Sequence, residues 1–106
     1  MSGLSTQQIA DWQCDGFLHP FLMLDEAELQ KCLAGLARYE SWLGASVSVS
    51  SNLNCRTMTY LILPWVARIA RDPRILDVVK DLIGPDILIW TSTFFIKEPG
   101  SPMVTA

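Results

Sequence analysis

The chain has 106 residues, a formal net charge of −3 and a pI near 4.9, so it lacks the basic surface that nucleic-acid binding requires. Half of its residues are hydrophobic and only 18% are charged, which is more apolar than a domain of this size buries comfortably. No apolar run reaches the roughly 20 residues of a membrane span, and the N-terminus lacks a signal-peptide pattern. We therefore expect a cytoplasmic protein with neither a nucleic-acid nor a membrane partner.

A capping box marks the start of the first predicted helix. Ser5 precedes the helical pattern and Gln8 follows three residues later, a spacing that lets each side chain bond the backbone N–H of the other residue. Residues 17–24 then form an apolar stretch that Pro20 interrupts. Because proline cannot donate to a β-ladder, the pattern predicts an edge strand or two half-strands there.

A second capping box predicts the longest helix. Asp25 is the expected N-cap and Glu28 completes the box, while Gly44 is a suitable C-terminal stop. The helix should cover residues 25–43. Its apolar positions keep helical spacing and predict one buried stripe, which includes Leu29, Leu33, Leu36 and Leu43.

The middle of the chain is less regular, but it leads into a well-bounded helix. Residues 45–59 are small and polar, so a weak strand and a mobile loop both stay open. Residues 61–71 have a helical pattern with a proline that fits the first turn. In the next helix, Asp72 is the predicted N-cap, Pro73 the first residue, and Gly84 the stop in a left-handed conformation.

The last predicted element is a strand over residues 87–96, apolar on both faces and rich in β-branched side chains. Such a strand is typical of a sheet covered on both sides. Little upstream is suited to cover it. We therefore expect residues 1–106 to be the front part of a larger domain, with the chemistry encoded beyond Ala106.

Candidate catalytic residues are few. The one histidine, His19, lies in an apolar stretch beside a proline, which favours a structural or surface role. The chain has no Gly-x-Ser-x-Gly elbow and no glycine-rich phosphate loop. Arg56 stands alone in a neutral stretch, and two roles stay open for it: a solvated side chain, or an anchor that grips a carboxylate bidentately.

Several short motifs in a fixed order are together more specific than any one of them. They are Asp15-Gly16-Phe17, the Leu24-Asp25 helix start, Pro64-Trp65, Asp72-Pro73-Arg74-Ile75-Leu76-Asp77, Gly84-Pro85-Asp86 and Phe95-Ile96-Lys97-Glu98-Pro99-Gly100-Ser101-Pro102. In this order they resemble the N-terminal part of the phytanoyl-CoA dioxygenase family over roughly residues 5–102.

The resemblance implies an α+β fold in which N-terminal helices accompany the first strands of an incomplete double-stranded β-helix (jelly roll). It also implies a dioxygenase that uses Fe(II) and 2-oxoglutarate and acts on a small-molecule substrate. The family's metal ligands are a His-x-Asp pair and a later His, a set that suits non-haem iron, and neither occurs in this chain. We therefore expect the 106 residues alone to hold no catalytic or metal-binding residue, to bind neither cofactor stably and to be inactive.

Two residues carry over from the family as cosubstrate-binding positions. Phe94 matches a position that lines the 2-oxoglutarate pocket, and Arg56 falls near a basic residue that helps to hold the cosubstrate. The alternative function is a non-enzymatic α+β interaction module that pairs its apolar C-terminal strand with a partner. The isolated chain should self-associate or depend on a partner, because an unpaired apolar edge invites pairing.

Overall fold

The computed structural model describes residues 3–48, 53–96 and 98–100. These residues form four α-helices: α1 (Thr6–Asp15), α2 (Glu26–Leu43), α3 (Pro64–Ala70) and α4 (Pro73–Ile83). Two 3₁₀ turns, Leu53–Cys55 and Thr59–Leu61, lie between α2 and α3. Within the described ranges, β-pairing is limited to one isolated antiparallel bridge, between Thr57 and Thr93.

The predicted α+β fold is wrong, because the described part of the chain is all-α and no jelly-roll strand forms in it. Residues 17–24 are irregular, and residues 87–96 lack a ladder of hydrogen bonds. The latter segment does have the apolar, β-branched composition that is typical of a strand. A strand, however, needs a neighbour for its N–H and C=O groups, and among the described residues only Arg56 and Met58 form backbone hydrogen bonds with this segment.

Two predictions fall partly outside the described residues. These are the choice between weak strand and loop at residues 45–59, of which 49–52 are not described, and the last motif of the resemblance, at positions 97 and 101–102. Residues 53–55 of the first region form a 3₁₀ turn.

The helix boundaries read from capping patterns are confirmed. Ser5 and Gln8 form the predicted capping box of α1, and Asp25 and Glu28 form that of α2. In each box the side chain of one residue accepts from the backbone N–H of the other. The groups that satisfy the first turn are therefore supplied within four residues of sequence, independently of the rest of the fold.

The two later helices each have a proline in the first turn, as predicted, but each differs from its prediction in one respect. α3 begins only at Pro64, because the residues just before it form a 3₁₀ turn. α4 has Asp72 as its N-cap and Pro73 as its first residue, as predicted. Gly84 ends α4, but with φ 92° and ψ 176°, a region open to glycine and distinct from the predicted left-handed helical conformation.

The predicted buried stripe of α2 is wrong. Leu29 and Leu33 are 41% and 48% exposed, and the buried residues of this helix are Gly35 and Tyr39. Helical spacing correctly places the leucines on one side of α2. Burial also needs a second element packed against that side, and the described residues cover these two leucines only in part.

The core is small. Tyr39 and Val47 are the buried hydrophobic residues of the described chain, while Leu22, Leu88 and Trp90 are at least 90% exposed. The radius of gyration is 16.0 Å, whereas a compact domain of this length has about 13 Å. None of the helices in the described ranges combines the length and the hydropathy needed to cross a membrane.

Candidate functional site

Arg56 and Phe94, the two residues that the resemblance marks for cosubstrate binding, lie side by side. The backbone N–H of Phe94 donates to the carbonyl oxygen of Arg56 at 3.0 Å, and the N–H of Met58 donates to the carbonyl of Ser92 at 2.6 Å. Between these two bonds lies the Thr57–Thr93 bridge. One short antiparallel contact thus brings together two residues that are 38 positions apart in sequence.

The Ser92 hydroxyl fixes this contact to the body of the protein. It accepts from the backbone N–H of Tyr60 at 3.2 Å and lies 3.3 Å from the hydroxyl of Thr59, which is 1% exposed. Sequence reasoning missed this role, since Ser92 stood in the predicted strand like any face-alternating serine. The residues near Ser92 in sequence do not indicate this role, because its hydrogen-bond partners are more than 30 residues away.

The Arg56 guanidinium carries the most unusual polar atom of the site. Its Nε is buried and has no hydrogen-bond partner within the described ranges. Leaving a buried donor unsatisfied costs about 1–3 kcal/mol, and more for a charged group. An acceptor reaching this nitrogen would therefore be favoured, and a carboxylate oxygen is the acceptor that guanidinium groups bind best.

Phe94 and Trp65 connect the site to the helices. The two ring centroids are 6.0 Å apart at an interplanar angle of 34°, within the range of favourable aromatic pairs. Trp65, in α3, also lies against Gly35 of α2: a Cβ built on Gly35 would stand 2.8 Å from the indole Nε1. Only a glycine therefore allows α2 and α3 to approach this closely without moving the indole.

Tyr39 holds the segment that leads to Arg56. Its hydroxyl donates to the backbone carbonyl of Cys55 at 2.8 Å. Burial is the main cause that raises the pKa of Tyr39 above its usual value, and the nearby Cys55 contributes in the same direction. The phenol thus stays protonated as a donor at neutral pH.

A second group of charged residues joins α2 to the start of α4. The Arg74 guanidinium contacts the Asp72 carboxylate at 2.6 Å and the Glu28 carboxylate at 2.9 Å. The hydrogen bond from Arg74 is the first cause that lowers the pKa of Asp72, to about 2, and that of Glu28 below its usual value. These contacts in turn raise the pKa of Arg74.

This charged group borders a cleft of about 450 Å³ between α2 and the region of α3 and α4. Lys31 and Arg38 from α2 and Arg68 from α3 also line it, and we call this space the cationic cleft. Neither Arg56 nor Phe94 lines it. The sequence analysis did not single out these cations. The seven-residue spacing of Lys31 and Arg38 could have placed them on one face of α2, but nothing local indicated that Arg68 faces them.

A metal site is not formed by the described residues. Within residues 3–48, 53–96 and 98–100, no three His, Cys, Asp or Glu side chains come together in a way that could hold a metal ion. His19 is exposed and stacks on Phe17, with the ring centroids 5.4 Å apart. The residues present therefore fit an anion at Arg56 but do not fit iron.

Comparison with known proteins adds no assignment: no protein-family model, no curated protein and no solved structure matches the chain.

Proposed function

We propose that this chain is part of a non-haem Fe(II)/2-oxoglutarate-dependent oxygenase of the phytanoyl-CoA dioxygenase type. The observation that carries the proposal is the buried Nε of Arg56, which has no hydrogen-bond partner among the described residues, in a residue whose backbone carbonyl accepts from the N–H of Phe94. These are the two positions at which the motif resemblance expects cosubstrate contacts, and they are 38 positions apart in sequence.

The role proposed for Arg56 is to bind and orient a carboxylate of 2-oxoglutarate. A charge-assisted hydrogen bond to Nε would satisfy the buried donor and hold the dicarboxylate in place. Phe94 would supply an apolar wall, with its ring held by Trp65. The described residues do not fit iron, so we assign them no metal ligand and no step of the oxidation. The metal ligands of such an enzyme must come from residues outside the described ranges.

Two observations on the gene and the 106-residue chain test this proposal. The coding DNA that follows the Ala106 codon should specify a His-x-Asp pair within about a dozen residues, because this pair supplies two of the three iron ligands of the family. A stop codon at that point, or a long continuation without this pair, contradicts the proposal. The 106-residue chain should show no iron binding by calorimetry, and a stoichiometric iron site in it would contradict the assignment of the ligands to other residues.

The role of Arg56 is tested in the protein encoded by the whole gene. Arg56→Gln should raise the KM for 2-oxoglutarate by about tenfold to a hundredfold, the loss expected for one charge-assisted hydrogen bond. Arg71→Gln, which removes an exposed arginine at the end of α3, is the matched control and should leave this KM unchanged. Equal effects of the two substitutions would exclude a specific contact at Arg56.

A second candidate function is an interaction module that binds a partner strand along residues 87–91. The specific observation is that Leu88 and Trp90 are 95% and 90% exposed, while the backbone of residues 87–91 makes no hydrogen bond to the described residues. An extended peptide could pair with these free groups. A soluble, monomeric 106-residue product of a natural gene with a defined peptide partner would favour this candidate over the oxygenase.

A further inference from the structure

We propose that the cationic cleft binds a small phosphorylated molecule. This proposal goes beyond the oxygenase assignment, because neither Arg56 nor Phe94 lines the cleft. It rests on three cations, Lys31, Arg38 and Arg68, that two different helices direct into one concave space of about 450 Å³.

The charge of the cleft opposes that of the chain. The chain carries −3 overall, whereas the cleft is lined by four basic and two acidic side chains and so has an excess of two positive charges. Both acidic groups, Glu28 and Asp72, are bound by Arg74. Among the described residues, Lys31, Arg38 and Arg68 make no ion pair. Three basic groups of the cleft thus remain available to an anion.

The spacing of the cations favours a ligand with more than one anionic group. Lys31 and Arg38 are seven residues apart on α2, which separates their Cα atoms by about 10 Å along the helix axis. Arg68 approaches from α3 on the other wall. A single carboxylate would contact one of these groups. A phosphate or diphosphate offers more charge and more acceptor oxygens, and arginine binds it bidentately.

The remaining lining suits the uncharged body of such a molecule. Leu24, Trp65 and Ile69 also line the cleft, so apolar and aromatic surface lies next to the cations. The volume falls within the range of about 300–1,000 Å³ that is typical of small-molecule sites and exceeds what inorganic phosphate alone would fill. A phosphorylated molecule with a planar or apolar body, such as a nucleoside diphosphate, matches both parts.

The test is a calorimetric titration of the 106-residue chain at low salt with inorganic pyrophosphate, with ADP and with malonate. We expect pyrophosphate and ADP to bind, ADP more tightly because its base adds contact with the apolar wall. Lys31→Gln and Arg68→Gln should each weaken pyrophosphate binding about tenfold, as for loss of one charge-assisted contact. Both side chains are exposed, so the variants should keep the helical circular dichroism spectrum of the parent.

Lys80→Gln is the matched control, since Lys80 is also an exposed helical lysine but does not line the cleft. It should leave the affinity for pyrophosphate unchanged. Absence of pyrophosphate binding, or equal weakening by Lys80→Gln and Lys31→Gln, would overturn the proposal. Malonate binding as tight as pyrophosphate binding would overturn the choice of phosphate as the ligand group.

Discussion

The pair of helices α2 and α3 and the segment of residues 87–96 both contain many apolar residues, yet they end in different structural states. α2 is closed by a capping box and a left-handed Gly44, and α3 packs its Trp65 against Gly35 of α2. The 87–96 segment has one bridge at Thr93, and it leaves Leu88 and Trp90 almost fully exposed.

The difference lies in where the stabilising groups come from. A helix satisfies its backbone within four residues and needs only its termini capped. An extended segment satisfies its backbone only through neighbours that are distant in sequence. The helical pair is therefore formed by its own residues. Residues 87–91, in contrast, have no backbone hydrogen bond to the described residues, and another polypeptide could cover their exposed apolar side chains.

The largest expected effect concerns the core of the helical region. Tyr39→Ala should lower the free energy of unfolding by about 3–5 kcal/mol, the usual cost of deleting a buried aromatic side chain. Tyr39→Phe removes only the hydroxyl that bonds the Cys55 carbonyl and should cost about 1 kcal/mol. Urea denaturation followed by circular dichroism measures both. Similar losses for the two variants would show that the hydrogen bond, rather than ring burial, stabilises this region.

The close approach of α2 and α3 is tested by Gly35→Ala. The added methyl group would meet the Trp65 ring at 2.8 Å. Overpacking costs about 1–3 kcal/mol and alanine regains about 1 kcal/mol of helix propensity, so we expect a net loss of up to about 2 kcal/mol in thermal or urea unfolding. In a Trp65→Leu background the same substitution should become stabilising. A loss of equal size in both backgrounds would contradict the contact.

The local origin of helix α2 is tested at its N-cap. Asp25→Ala should lower the free energy of unfolding by about 1 kcal/mol, because the N–H of Glu28 loses its acceptor. Asp25→Asn keeps a capping side chain and is the matched control, with little expected change. Should both substitutions destabilise equally, the charge of Asp25 rather than its capping geometry would be the cause.

The contact between α2 and α4 through Arg74 has a pH dependence of known sign. Since the folded-state pKa of Asp72 is lowered to about 2 from 3.8, its ion pair stabilises the fold above pH 4, and this contribution disappears as the pH falls through about 2. Arg74→Gln should raise the pKa of Asp72 towards 3.8, as followed by NMR titration of the side-chain carboxyl carbon. An unchanged pKa would mean that the Asp72–Arg74 contact is not maintained in solution.

The smallest expected effect on stability comes from the extended segment. Trp90→Lys should change the free energy of unfolding by less than about 0.5 kcal/mol, as is usual at exposed positions. It should nevertheless reduce self-association in sedimentation velocity, because residues 87–91 combine exposed apolar side chains with backbone groups that bond to no described residue. Trp42→Lys, at an 80% exposed position on α2, is the control and should reduce association less. The reverse order would place the associating surface on the helices.

The sequence by itself determined where α1, α2 and α4 begin and end. The pairs Ser5 and Gln8, Asp25 and Glu28, and the Asp72-Pro73 start all act within a few residues, so their hydrogen bonds are the same in any fold that contains these helices. The resemblance also pointed to Arg56 and Phe94, which lie side by side. Their function remains a prediction.

Only the tertiary structure decided which apolar residues are buried and whether the last segment becomes a strand. Leu29 and Leu33 keep helical spacing but are exposed, and residues 87–96 have strand composition but one bridge. It also decided that Lys31, Arg38 and Arg68 share one cleft. The physical reason is common to all three: burial, β-pairing and the convergence of charges each require a second element, and periodicity within one element carries no information about its neighbour.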